Sequence, residues 1–218
     1  MEPMIDDAGW AGAAPQAGAS PFENFNVHDV RDLISEFPLA WLSAADSAGR
    51  ETSLLPLLGE YDSAGELVSL AGHMSRRNPL VAALTADPQA LILFSGPQGY
   101  VSPELTGERD WAPTWNYAQL SIVADVVFQP RETEEVVDRL VERMEAGRQA
   151  PWRSEELGDR YAAMGRRIIG FRATVAQLSG RFKLGQDEKP EILRAIMDKL
   201  ADPVMIRWMR RFNEGRLG

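Results

Sequence analysis

The stretch TWNYAQLSIVADVVF, residues 114–128, decides the fold. From Ala118 onward every second residue is apolar: Ala118, Leu120, Ile122, Ala124, Val126 and Phe128. Gln119, Ser121 and Asp125 lie between them. Side chains alternate between the two faces of a strand. A period of two therefore predicts a long strand with one buried and one partly exposed face.

Working outward, the neighbouring segments read as shorter strands. Leu39–Ala44, Glu51–Leu58 and Glu66–Ala71 are apolar runs parted by Asp46-Ser47-Ala48-Gly49 and Asp62-Ser63-Ala64-Gly65, the spacing of an antiparallel meander. Ala90–Phe94 is a further strand, stopped by Ser95-Gly96-Pro97, and Tyr100–Ser102 is a short one. Ile168–Leu178 closes the set.

Helical spacing appears elsewhere. Asn26 is placed to cap a helix carrying Val27, Val30, Leu33, Ile34 and Phe37, ended by Pro38. Asn78-Pro79 starts a short helix over Leu80–Leu84. Thr133 is placed to cap residues 133–146, and Ser154–Met164 reads as one further helix. Pro190 and Asp202-Pro203 open two more. Strands and helices do not alternate regularly, which argues against a doubly wound parallel sheet. The expectation is an α+β, mainly β chain: an antiparallel barrel with peripheral helices. Residues 1–20, rich in Gly, Ala and Pro, read as a flexible tail; 21–188 form the barrel domain, and 189–218 a helical extension packed on it.

Composition excludes several function classes. With no cysteine among 218 residues, disulfides, thiolate nucleophiles and Cys-based metal sites are absent. This fits a reducing compartment, and the expected location is cytoplasmic. No apolar run approaches the ~18 residues of a membrane span, and Asp6 and Asp7 do not suit a signal peptide. A net charge of -9 opposes direct nucleic-acid binding. The exception is Arg207, Arg210, Arg211 and Arg216, read as a solvated helix face. Ser95-Gly96-Pro97-Gln98-Gly99 lacks the ending of a P-loop, and no nucleophile elbow occurs. With His28 and His73 as the only histidines, a multi-histidine metal site within one chain is ruled out.

Three polar clusters interrupt the strand patterns. The first is Gly72-His73-Met74-Ser75-Arg76-Arg77-Asn78-Pro79, where a hydroxyl, two guanidiniums, backbone N–H groups and a helix start suit an anion. It reads equally as a capped loop with surface arginines. The second joins Tyr100-Val101-Ser102-Pro103 to Trp111-Ala112-Pro113-Thr114-Trp115-Asn116-Tyr117, able to clamp a flat ring or to form an apolar corner. The third, Gly180–Asp187, offers Lys183 and Gln186 to a phosphate or a heteroaromatic edge, or is a strand end and turn.

Taken together, GHMSRRNP, LFSGPQGYVSP, APTWNY and FKLGQD resemble, in that order, the signature segments of the PaiB-like FMN-binding negative transcriptional regulator family. TSLLPLL at 52–58 is similar to the strand before the first motif, and the resemblance spans about residues 22–188. It implies a split β-barrel related to pyridoxamine-phosphate-oxidase-like flavoproteins. It also implies a homodimer with FMN at the subunit interface and a small-molecule substrate. Ser75, Arg76 and Asn78 match the phosphate motif, Ser102, Trp115, Asn116 and Tyr117 the ring segment, and Lys183 and Gln186 the third. His73 and Tyr100 match as candidate acid–base groups. Glu104-Leu105 stand where the family has an aromatic pair, and Gly185 and Asp187 replace a serine and an asparagine.

Two other functions accompany the flavin-dependent oxidoreductase. Some similar proteins are haem-dependent piperazate synthases, which close an N–N bond; His73 would then ligate the iron of haem b. The family name also suggests a non-enzymatic regulator responding to a small molecule.

Overall fold

The structure, a computed structural model, describes residues 20–44 and 51–217. All of the expected tail at 1–20 except Ser20, and the turn at Asp46–Gly49, lie outside them. Six strands form the scaffold: β1 (Leu39–Ala44), β2 (Thr52–Tyr61), β3 (Leu67–Ser75), β4 (Gln89–Val101), β5 (Thr114–Phe128) and β6 (Ile168–Lys183). They close into an antiparallel barrel in the order β1-β2-β3-β6-β5-β4. The decisive stretch at 114–128 is β5, at the junction of β4 and β6. Ala118, Leu120, Ile122, Ala124 and Val126 are all buried, as the alternation requires.

The core joins those residues to Leu42, Leu57, Leu70, Ile92, Phe94, Phe171 and Phe182, each essentially inaccessible. Fully burying side chains of this size stabilises the fold by about 1.5–3 kcal/mol apiece. The helices α1 (Val27–Glu36), α2 (Pro79–Ala86), α3 (Pro103–Thr106), α4 (Thr133–Glu145), α5 (Asp159–Gly165), α6 (Pro190–Lys199), α7 (Pro203–Phe212) and α8 (Glu214–Leu217) lie around it. Asn26 caps α1 by a capping box with Asp29. Leu193, Trp208 and Met209 bring α6 and α7 into the same core.

Three local details differ from the sequence reading. Ser95-Gly96-Pro97 does not end a strand: β4 runs on, with a register shift between Ser95 and Gln98 before pairing resumes at Gln98 and Tyr117. A bulge tolerates proline because the extra residue needs no ladder hydrogen bond. The expected helix at Ser154–Met164 is broken at Gly158, whose φ of 53° no helix accepts. Thr133 is not the cap of α4 but its first residue. Its buried hydroxyl donates to the Pro130 carbonyl (3.0 Å) and accepts the Gly170 N–H (2.9 Å), pinning the helix to β6.

Arg207, Arg210, Arg211 and Arg216 are all exposed, as a solvated face requires, but two of them also tie α7 to α1. Arg207 makes a paired contact with Glu36 (2.8 Å on both nitrogens), and Arg211 reaches Asp29 (2.7 Å) and Asp32 (2.5 Å). The indole of Trp208 also donates to Glu36 (3.0 Å). Acid on α1 thus cancels base on α7. Among the described residues no helix is long and apolar enough to cross a membrane.

Candidate functional site

The first cluster sits where β3 runs into α2. Ser75, Arg76 and Arg77 are exposed, and neither arginine forms an ion pair with a described residue. The backbone donors of this turn are already used. Arg76 N–H goes to the Arg167 carbonyl (2.9 Å), Arg77 N–H to Ser75 Oγ (3.2 Å) and Asn78 N–H to the Ser75 carbonyl (2.9 Å). Asn78 Oδ1 caps α2 at Leu80 N–H (3.0 Å), and its Nδ2 donates to Ser53 Oγ on β2 (2.8 Å). An anion here therefore meets the Ser75 hydroxyl and the guanidiniums, not the main chain. Asn78 positions the turn, and the residues present fit a phosphate.

The second cluster lies at the far end of β4 and β5. Tyr100 and Trp115 pair across these strands, edge to face with ring centroids 5.7 Å apart. Both are about half exposed, 50% and 57%. Two residues along the same outer face, Tyr117 pairs with Lys183 of β6. The Lys183 ammonium donates to the Thr114 hydroxyl and lies 5.9 Å from the Phe22 ring. These groups line an open surface able to take a flat ring.

Three expected members have other partners. Alternation turns Asn116 inward, where it is 3% exposed and its Nδ2 points at Met209 Sδ of α7 (3.7 Å). Ser102 caps α3 at Glu104 N–H (3.2 Å). Gln186 closes its own turn, donating to the Phe182 carbonyl (2.5 Å) and accepting Leu184 N–H (2.7 Å).

His73 is remote from Tyr100. It lies on the outer side of β3, covered by α4 and the chain that follows, beside a cavity of about 240 Å³ lined by Val137, Val141, Trp152, Tyr161 and Met164. Burial pushes the imidazole pKa down, favouring the neutral ring. Its Nδ1 is buried with no hydrogen-bond partner. The cavity of a single copy does not by itself enclose a haem. The space is below the ~300 Å³ at which pockets for drug-sized ligands begin, and an iron-ligating histidine normally gives its other ring N–H to an acceptor.

One feature escaped the sequence reading. The outer face of β2, β1 and β4 exposes Leu54, Trp41, Leu93, Leu39 and Leu91, each 36–52% accessible. Its signal was the run Leu39-Ala40-Trp41-Leu42, apolar on both faces where a solvated strand would alternate. The patch separates the two clusters. The Ser75–Asn78 turn meets it at Ser53, beside Leu54, and Leu54 pairs with Trp41, which pairs with Leu93. From Leu93, Tyr100 is roughly 20 Å further along β4.

Comparison with known proteins agrees with this architecture. The family described as "Putative FMN-binding domain" matches residues 19–177. An uncharacterized protein of Emericella nidulans is 28% identical, covering 72% of this chain and 79% of its own. Protease synthase and sporulation protein PAI 2 of Bacillus subtilis is 21% identical over 82% and 86%. Two solved structures share the fold. The flavocytochrome Anf3 from Azotobacter vinelandii has a TM-score of 0.55 and 14% identity, over 73% of this chain and 68% of that one. The FAD and heme binding protein from Mycobacterium smegmatis has 0.51 and 16%, over 72% and 70%. With its closed antiparallel barrel, its flanking helices and a family match over most of its length, the chain belongs to the PaiB-like FMN-binding split-barrel family.

Proposed function

We propose that the protein binds FMN as a homodimer, each site being built from both copies, and acts as a flavin-dependent oxidoreductase on a small molecule. The observation that carries this reading is the placement of the two clusters. An anion-binding turn and an aromatic shelf lie at separate ends of one face, with exposed Leu39, Trp41, Leu54, Leu91 and Leu93 between them. A contiguous apolar surface of this kind marks an interaction site. A two-fold axis through it sets the Ser75–Arg76 end of one copy against the Tyr100–Trp115 end of the other, since such interfaces are self-complementary.

In this arrangement Ser75 and Arg76 hold the phosphate, assisted by Arg77. Trp115, Tyr117 and Lys183 of the other copy flank the ring. Bound FMN supplies reversible electron and hydride transfer. Tyr100, beside Trp115, is the phenol we assign to carry a proton at that face. Asn116, Asn78, Ser102 and Gln186 position the elements that bear these groups. Residues 21–188 form the cofactor-binding unit in this reading, and 189–218 brace it. Nothing around His73 favours the haem reading. Pairing of Arg207 and Arg211 with acidic residues of α1 lowers the positive charge of the C-terminal face, which weakens the case for direct DNA contact.

The test is the visible spectrum of the purified protein, before and after incubation with FMN. A two-banded flavin absorption is expected, together with weaker uptake in Arg76→Ala. A protein that stays colourless with FMN, or that carries a Soret band instead, overturns the proposal.

A further inference from the structure

The cavity beside His73 has a character of its own. Its floor is His73 and Ile168, one wall is Val137 and Val141 of α4, and its roof is the segment 146–165, which contributes Trp152 and Met164. The roof is tied down by Asp138 of α4, which accepts from Ser154 Oγ (2.5 Å) and the Tyr161 hydroxyl (2.6 Å). Glu145 adds a bond from the Trp152 N–H (3.0 Å). Thr133, Ser154 and Tyr161 thus spend their hydroxyls within the protein. The imidazole of His73 makes no hydrogen bond with a described residue; its Nδ1 is sealed off, which leaves Nε2 as the ring nitrogen open to the cavity. An apolar cavity with one unspent imidazole on its floor is the pattern of a small ligand site: a greasy wall and a single orienting polar contact.

The lining also defines the ligand. It carries no cation to welcome an anion, and the Glu134 carboxylate at the rim repels one. At about 240 Å³ the space holds one ring or two fused rings. A hydroxyl both donates and accepts, so it serves either tautomer of a neutral imidazole. We propose that this cavity binds a small uncharged phenol, its ring between α4 and the 146–165 segment and its hydroxyl on the His73 imidazole. The site is separate from the flavin surface and does not depend on it.

The experiment uses 4-methylphenol as probe and the full chain labelled with 15N-histidine. The chain has two histidines, and His28 is exposed on α1. Saturable movement of the His73 ring resonances, with those of His28 unmoved, is expected. Toluene, the same ring without the hydroxyl, should bind about tenfold more weakly, the loss of one hydrogen bond. His73→Phe should bind 4-methylphenol no better than toluene, read by isothermal titration calorimetry. Val137→Trp, or Met164→Trp should the first not fold, should fill the space and abolish binding while the visible FMN titration is unchanged. The proposal is overturned if 4-methylphenol gives no saturable shift, if both histidines move together, or if toluene binds equally well. A chain that binds no FMN but passes these tests leaves this site intact and refutes only the flavin reading.

Discussion

If each flavin site is shared, two chains that each fail alone must rescue one another. Take Arg76→Ala in one chain and Trp115→Ala in another. Arg76 belongs to the turn fixed at Ser53, while Trp115 pairs with Tyr100, roughly 20 Å along β4 beyond Leu93. Removing a charge-assisted hydrogen bond to phosphate costs about 1.5–3 kcal/mol, a roughly ten- to hundredfold loss of affinity. Removing an aromatic that stacks on a flat ring costs a similar ~1–3 kcal/mol. In each variant homodimer both sites are damaged. In the heterodimer one site carries both substitutions and the other carries neither. The assay is co-expression with two affinity tags, tandem isolation of the heterodimer, and titration of FMN by flavin fluorescence. About half of its sites should bind with wild-type affinity, at an FMN concentration where either homodimer stays empty. If the heterodimer binds no better than its parents, Arg76 and Trp115 serve the same site within one chain and the shared-site argument fails. If either homodimer binds as tightly as the wild type, that residue has been misassigned.

Three further outcomes follow from the geometry. Trp41 is 50% exposed, so a dimer covering it buries roughly 100 Å² of its side chain per copy, about 2.5 kcal/mol. The two-fold doubles this, and Trp41→Asp should dissociate the dimer roughly a thousandfold or more in sedimentation velocity; unchanged association would rule this face out. Burial raises the Glu60 carboxyl pKa, but hydrogen bonds from Arg172, Ser69 and Arg139 outweigh it and hold the group at about 2 instead of 4.5. That stabilisation is complete above about 4.5 and lost as pH falls towards 2, so acid unfolding in this window should be less steep in Glu60→Gln; identical pH profiles would refute the role. At Gly185, φ is 90° and an added Cβ would lie 2.8 Å from Leu193 Cδ1, so Gly185→Ala should cost about 1–3 kcal/mol and lower Tm by several degrees. An unchanged melting curve would show that α6 simply shifts away.

What could be read from sequence divides by the range of the interaction. Period-two alternation in β5, the Asn26 cap and the proline helix starts are local, and each lies where its pattern places it. Barrel closure is not local: β3 pairs with β6 across nearly a hundred residues of intervening chain, and no spacing rule announces that. The site clusters were legible as chemistry but not as geometry. Ser75 and Arg76 emerged exposed, and Arg76 forms no ion pair with a described residue, as an arginine awaiting an anion would. Asn116 looked equivalent to Trp115 and Tyr117 on paper. In a strand it has to point the other way, and its partner, Met209, lies in a helix that no motif connected to it. His73 stands two residues before Ser75 in the same motif, yet α4 and the 146–165 segment cover it. Only tertiary contacts decide which motif residues remain open.

The departures from the family pattern take on a different meaning once the C-terminal helices are in place. In sequence, Glu104-Leu105, Gly185 and Asp187 each remove a polar or stacking group from the pocket that the family resemblance implies, a change compatible with another cofactor without demanding one. In the fold, most of these positions adjoin α6. Leu105 packs against the core and the Glu104 carbonyl accepts the Lys199 ammonium (3.2 Å). Gly185 adopts the left-handed backbone that turns the chain into α6, wedged beside Leu193 and Met209. Its carbonyl is gripped by Arg216 (3.2 Å), and next to Asp187 the Glu188 carboxylate accepts the Trp111 indole N–H (3.1 Å). A serine at 185 would have to hold φ near 90° with its Cβ against Leu193, which the packing does not allow. These substitutions answer to helix docking, and the groups assigned to the phosphate and the ring, Ser75, Arg76, Tyr100, Trp115 and Lys183, lie outside that contact. The altered motif therefore bears on how α6 and α7 are seated, and it gives no reason to replace FMN with another cofactor.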